Sequence, residues 1–218
     1  MKPCLILTGG KFDIAFARLY LKGKHYDKVI AVDAGLMAAK ELGIMPDYIV
    51  GDFDTLDQEV AREYRQYPYI IWEVHQAEKN ETDTELAVNR AAAIGCTELT
   101  ILGATGGRMD HMLGNLQLLY SCLQRGIHAC MADRQNKIYL IDRSHTFYAD
   151  RIWGKYISFL PFSEYVEGIT LKGFRYPLEN RDISLGYEVG LCISNELTEA
   201  VGEICISDGV LICVESCD

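Results

Sequence analysis

The chain is short of basic residues. Its 218 residues hold 21 lysines and arginines against 31 aspartates and glutamates, a formal charge of −10. Nucleic acids and anionic membrane surfaces are bound through dense Lys/Arg, so neither is expected as a main partner. No apolar run approaches the ~20 residues that a bilayer-spanning helix needs. The first apolar stretch, Cys4 to Leu7, is too short for a signal h-region and runs straight into Gly9-Gly10. None of the 8 cysteines stands in a C-x-x-C pair. Without zinc spacing or a secretion signal, they are expected as reduced thiols of a cytoplasmic protein, most of them packed as small hydrophobes. There is no internal repeat and no low-complexity linker. What is present is ordinary for a globular protein, with 49% hydrophobic and 24% charged residues, which excludes disorder.

Over the first ~130 residues two periodicities alternate. Short apolar runs at 3–8, 28–33, 48–52, 69–74, 98–102 and 128–132 suit buried parallel strands. Between them, helical spacing of apolar residues covers 14–21, 36–42, 58–67, 83–94 and 109–125. Gly43 and Pro46 end the second helix, and Thr82 with Glu85 forms a capping box at the start of the fourth. This alternation predicts parallel βαβ units in a three-layer α/β/α domain over 1–134. The pattern then changes. Residues 135–218 show β-rich runs at 138–141, 145–148, 156–160, 165–171, 188–194, 199–207 and 210–214. They predict a small antiparallel sandwich or barrel.

The aspartates fall at telling places. Asp33 ends the second strand, Asp52 and Asp54 end the third, and Asp83 and Asp110 open the helices after the fourth and fifth. In a parallel sheet all five share the edge where ligands of open α/β folds bind. Asp52 and Asp54, two apart on extended chain, point the same way and repel unless a cation lies between them. Hard oxygen donors without a His or Cys cluster suit Mg²⁺. Asp-x-Asp alone is a common turn element; Asp33 and Asp83 on the same edge are what make it a candidate metal site.

A second constellation, Gly103-Ala104-Thr105-Gly106-Gly107-Arg108-Met109-Asp110-His111, lies between a strand and a helix. Its glycines let backbone N–H groups approach a phosphate, the helix N-terminus favours the anion, and Arg108 is placed to clamp it. It is neither a Walker A loop nor the G-x-G-x-x-G fingerprint. His111 is either a group that titrates near neutrality or a helix-surface residue. Lys79-Asn80-Glu81-Thr82-Asp83 adds a phosphate-binding lysine and a further carboxylate. At Thr8-Gly9-Gly10 a ligand could meet bare backbone. Phosphoryl or diphosphoryl transfer fits these residues best, with metal-assisted hydrolysis close behind.

Gly51-Asp52-Phe53-Asp54-Thr55, then Lys79 to Asp83, then Gly103 to His111, in that order, resemble the thiamine pyrophosphokinase family. The resemblance continues through Asn115 and into Ser194-Asn195-Glu196. It implies transfer of diphosphate from ATP to the hydroxyl of thiamine, in a homodimer. The pocket would be shared between the α/β domain of one subunit and the C-terminal β-sandwich of the other. By the same resemblance Asp52, Asp54, Asp83 and Asp33 would hold Mg²⁺. Gly9, Asp33, Lys79, Thr105, Gly106, Gly107, Arg108, His111 and Asn115 would serve ATP, Asp110 would orient substrate, and Ser194 and Asn195 would line the thiamine side. The expected catalytic group is Asp54, Asp83, Arg108 and Asp110. Three positions depart from the family's usual pattern: Asn80, Thr55 and the glycine-poor Asp33-Ala34-Gly35. With Trp72 and Trp153 the only tryptophans, no aromatic clamp for thiamine stands out. The competing expectations are a pyrophosphokinase for another heterocyclic alcohol, such as a hydroxymethylpterin, and a non-catalytic thiamine or nucleotide sensor.

Overall fold

The structure, a computed structural model, describes every residue except Thr55 and Ala77. The chain divides into two compact units, Met1–Arg134 and Gln135–Asp218. Thr55, a member of the Asp-Phe-Asp motif, lies outside the described residues.

The first unit alternates strand and helix throughout. Its strands are β1 (Pro3–Leu7), β2 (Lys28–Val32), β3 (Tyr48–Gly51), β4 (Ile71–Val74), β5 (Glu98–Leu102) and β6 (His128–Ala132). Its helices are α1 (Ile14–Leu21), α2 (Gly35–Leu42), α3 (Gln58–Tyr64), α4 (Asp83–Ala93) and α5 (Met109–Gln124). The strands pair in parallel in the order β4-β3-β2-β1-β5-β6. The central strands are buried on both faces, which is why Cys4 to Leu7 reads as an unbroken apolar run. Three helices start where a side chain accepts the orphan amides of the first turn. Asp13 accepts from Phe16 N at 2.9 Å, Asp57 from Glu59 N at 2.7 Å, and Thr82 from Glu85 N at 3.1 Å. Gly43, at φ +70°, closes α2 in the left-handed region.

Strand order decides where a ligand can sit. From β1 the chain steps outward through β2 and β3 to β4, then returns to place β5 on the other side of β1. Right-handed crossovers in opposite directions put α1 and α2 on one face and α4 and α5 on the other. The helices touch in those pairs, α1 with α2 and α4 with α5. The reversal opens a crevice above the carboxyl ends of β1 and β5.

The second unit is a sandwich of two antiparallel sheets. One has the order β7 (Asn136–Ile141), β13 (Leu211–Ser216), β9 (Tyr156–Pro161). The other has the order β11 (Leu178–Ser184), β10 (Tyr165–Lys172), β12 (Val201–Cys205), β8 (His145–Tyr148). Phe147, Phe159 and Phe174 meet edge-on between the sheets, with centroids 5.7–5.9 Å apart. Each ring contributes about 2–3 kcal/mol by burial. Inside this unit the Glu215 carboxylate, 2% exposed, accepts from Lys137 Nζ at 3.1 Å, Tyr139 OH at 2.7 Å and the Trp153 amide.

Two expectations for this unit are corrected. The run at 188–194 is not a strand but a 3₁₀ turn, Val189–Cys192, flanked by Glu188 (φ +47°) and Ser194 (φ +54°) in the left-handed region. Strand β11 was unread because Glu179, Asn180, Arg181 and Asp182 break the apolar pattern. It is an edge strand that pairs only with β10, through a shifted register, so its charged side chains stay in solvent. None of the eight cysteines forms a disulfide among the described residues; five are buried, and Cys205 is exposed. Among the described residues no helix is long and apolar enough to cross a membrane.

Candidate active site

The crevice holds a cavity of about 800 Å³. Two glycine-rich turns form one side of it. After β1, Gly10 packs so closely on the turn after β5 that a Cβ there would lie 2.2 Å from the Gly103 carbonyl oxygen. Gly103, at φ +82°, likewise leaves no room for a side chain against Thr8 and Phe12. Only bare backbone allows the two turns to meet. Gly106, Gly107 and Arg108 carry the second turn into the N-terminus of α5, where backbone amides and the helix dipole favour an anion. Asn115, 8% exposed, donates Nδ2 to the Ala104 carbonyl at 3.0 Å and so fixes the turn from the helix behind it.

The opposite side is acidic. Asp33 (φ +45°) and Asp83, the first residue of α4, both line the cavity. Gly51 makes room for this arrangement, since a Cβ there would fall 1.7 Å from Asp33 Oδ1. Burial first, then the nearby Asp83 charge and, less strongly, Asp52, push the Asp33 carboxyl up to about 7. The Phe53 amide, donating at 3.3 Å, opposes that rise. Lys79 Nζ lies 2.5 Å from Asp83 Oδ1, so an ammonium already answers part of the crowding.

This donor set suits a small hard cation. Mg²⁺ typically takes one or two carboxylates and completes its shell with water and substrate phosphate. Asp33 and Asp83 are such a pair. Among the described residues, no three His, Cys, Asp or Glu side chains are grouped so as to hold a metal by themselves. A metal held by this pair would need water and substrate oxygens to complete its shell.

Not every residue expected at the site lines the cavity. Gly9, Gly106, Gly107, Arg108, His111 and Asn115 line it, as do Asp33 and Asp83. Asp52 instead caps its own turn, accepting from Asp54 N at 3.1 Å, and Asp54 is exposed. Thr105 and Lys79 are half-buried next to lining residues. Asp110 turns back to Arg108, with contacts of 3.1 and 2.5 Å, and that guanidinium holds its carboxyl down at about 2. In the second unit, Ser194 N donates to Ser158 Oγ at 3.0 Å. Asn195, 1% exposed, brackets Tyr176, accepting from its amide at 3.0 Å and donating to its carbonyl at 2.9 Å.

Two features escaped the sequence reading. Lys11 lines the cavity directly after the glycine pair, a position from which a cation reaches a ligand held by those glycines. Phe53, between the two aspartates, sits at φ +61° and packs edge-on against Trp72 at 5.2 Å, with the Arg65 guanidinium 4.5 Å above the indole. No spacing rule foretells that lock, because Trp72 is 19 residues away on β4.

Taken together, a doubly wound α/β unit with phosphate-ready amides facing crowded carboxylates at its switch point defines an enzyme of phosphoryl-transfer type. Comparison narrows the class. The catalytic-domain family model of thiamin pyrophosphokinase matches residues 8–131, and the model of that enzyme's vitamin B1 binding domain matches residues 141–211. Thiamine pyrophosphokinase of Bacillus subtilis is 40% identical over 189 residues, 87% of this chain and 87% of that protein. A crystal structure of the thiamine pyrophosphokinase from Bacillus subtilis matches with a TM-score of 0.88 at 35% identity, over 100% of both chains. That from Geobacillus thermodenitrificans matches with a TM-score of 0.85 at 33% identity, over 100% of this chain and 98% of the other. The chain belongs to the thiamine pyrophosphokinase family.

Proposed function

We infer that this protein transfers the terminal diphosphate of ATP to the hydroxyl of thiamine, giving thiamine diphosphate and AMP. The observation that carries this reading is the crevice itself, where glycine backbone and a helix N-terminus face the Asp33–Asp83 pair. In the family's reaction the alcohol must reach the β-phosphorus through about four negative charges, so catalysis is mostly positioning and charge neutralisation. The amides of the Gly106–Gly107 turn would hold phosphate oxygens, with Lys11 and Arg108 over them. Arg108 would exchange its surface partner Asp110 for phosphate, and Lys79 would reach the same oxygens from Asp83. A divalent metal, taken as Mg²⁺, would be held by Asp33 and Asp83 with Asp52 and Asp54 on their turn, and supplies charge neutralisation on the phosphate oxygens. Asp83 or Asp110 would accept the hydroxyl proton, although a loose transition state asks little of a base.

The second unit would supply the thiamine side through Ser194 and Asn195, the latter by holding Tyr176 in place. The working form would be a cytoplasmic homodimer whose pockets join the α/β unit of one subunit to the sandwich of the other. Exposed Tyr165, Leu185 and Tyr187, gathered where β10 meets the end of β11, give the second unit an apolar surface that such a partner would cover. The test is incubation with ATP, Mg²⁺ and thiamine, followed by AMP. Thiamine-dependent AMP is expected, and none with a hydroxymethylpterin in its place. Absence of thiamine-dependent AMP refutes the reading. A fully active monomer in sedimentation would refute the shared pocket.

A further inference from the structure

A second cavity, of about 490 Å³, opens at the other edge of the first unit's sheet, away from the crevice. Strands β1 and β2 form its floor. Leu21, Leu42 and Ile44 line its walls, at the C-terminal ends of α1 and α2. Arg18, Lys22 and Lys24 stand at its rim, all exposed. Three cations within seven residues are unexpected in a chain of net charge −10. Arg18 reaches the Glu41 carbonyl at the end of α2, and Lys24 Nζ lies 3.1 Å from the centroid of the Tyr20 ring, so both are held at the mouth.

The helix dipole explains a cation at the end of α1, but not a hollow with apolar walls beneath three of them. We propose that this cavity binds a small amphiphilic anion: an apolar body seated against Leu21, Leu42 and Ile44, with one carboxylate- or sulfonate-type head at the Arg18–Lys22–Lys24 rim. The volume lies within the range of ordinary small-molecule sites. The site differs in kind from the crevice, because apolar side chains rather than glycine turns line it, and it suits a single negative head rather than a polyphosphate. α1 and α2 run from this cavity to the turns that carry Gly9 and Asp33, so a bound ligand touches the far ends of two helices that lead into the crevice.

The test uses the full chain and 8-anilinonaphthalene-1-sulfonate as probe, read by fluorescence and calorimetry, so it is independent of turnover. One probe per chain is expected. The uncharged analogue N-phenyl-1-naphthylamine should bind about tenfold more weakly, as should the sulfonate to Lys22→Glu/Lys24→Glu, a change confined to exposed side chains. Ile44→Trp, which fills the cavity, should abolish the signal. Absence of binding to the native chain, equal affinity for the uncharged analogue, or unchanged binding in either variant would overturn the proposal. The comparison of the two probes needs no variant, so it decides the question even if a substitution impairs folding.

Discussion

A buried carboxylate and a half-buried one are treated in opposite ways in this protein. Glu215, in the sandwich, receives a lysine, a tyrosine hydroxyl and a backbone amide. Asp33, in the α/β unit, receives one long hydrogen bond from Phe53 N and lies beside Asp83 and Asp52. The first arrangement is complete within the chain and therefore structural. The second is only partly balanced, by Lys79 on Asp83, and it stands opposite glycine amides that suit an anion. A metal-bound polyphosphate would answer both.

That contrast can be broken at either end. The largest effect is expected at the crevice. Asp83→Asn should lower turnover by about 10²–10³-fold, the scale of losing one preorganised charge-stabilising group, while the thermal melt stays cooperative. Asp54→Asn tests whether the exposed aspartate joins the site. A fall of similar size is expected, and normal activity in a folded variant would remove Asp54 from the metal set.

At the other end, Glu215→Gln should cost about 3 kcal/mol of stability, because Lys137 loses a buried partner, yet leave activity per folded molecule unchanged. Denaturant unfolding measures it. Loss of activity in the folded variant would mean that Glu215 is not purely structural.

A smaller effect is expected for Trp72→Leu. Losing the edge-on contact to Phe53 forfeits about 1 kcal/mol and loosens the turn that bears Asp52 and Asp54. The metal concentration for half-maximal activity should rise about fivefold, whereas the KM for thiamine should not move.

The last effect is a dependence on pH. Burial and the neighbouring Asp83 charge push the folded Asp33 carboxyl from its ordinary 3.8 up to about 7, so the folded state holds the proton more tightly. Its contribution to stability is then complete below about pH 4 and is lost as pH rises through about 7. In metal-free protein, the melting temperature of native chain relative to Asp33→Asn should fall over that window. Added Mg²⁺ should flatten the fall. A rise with pH would contradict the assignment.

Much of this was legible in the sequence, for physical reasons. Buried parallel strands show as unbroken apolar runs, and caps such as Thr82 with Glu85 announce the helices. Glycines of the turns after β1 and β5 were also legible, since a Cβ at Gly10 would strike the Gly103 carbonyl and one at Gly103 would strike Thr8 and Phe12. Features that depend on distant partners were not. Strand β11 is held by its ladder with β10 rather than by its own apolar pattern, so its charges hid it. Asp110 sits where motif spacing put it, but its side chain prefers Arg108 to the cavity. The Phe53–Trp72 lock exists only because β4 lies beside β3.

The most direct test follows both transferred phosphates. ATP labelled at its β and γ positions is given to the native chain and to Asp83→Asn, with thiamine and Mg²⁺, and the products are read by phosphorus NMR. The account predicts that the native chain moves both labels together onto thiamine and leaves unlabelled AMP, while the variant moves neither at a comparable rate. Singly phosphorylated thiamine with ADP, or undiminished transfer by Asp83→Asn, would contradict it.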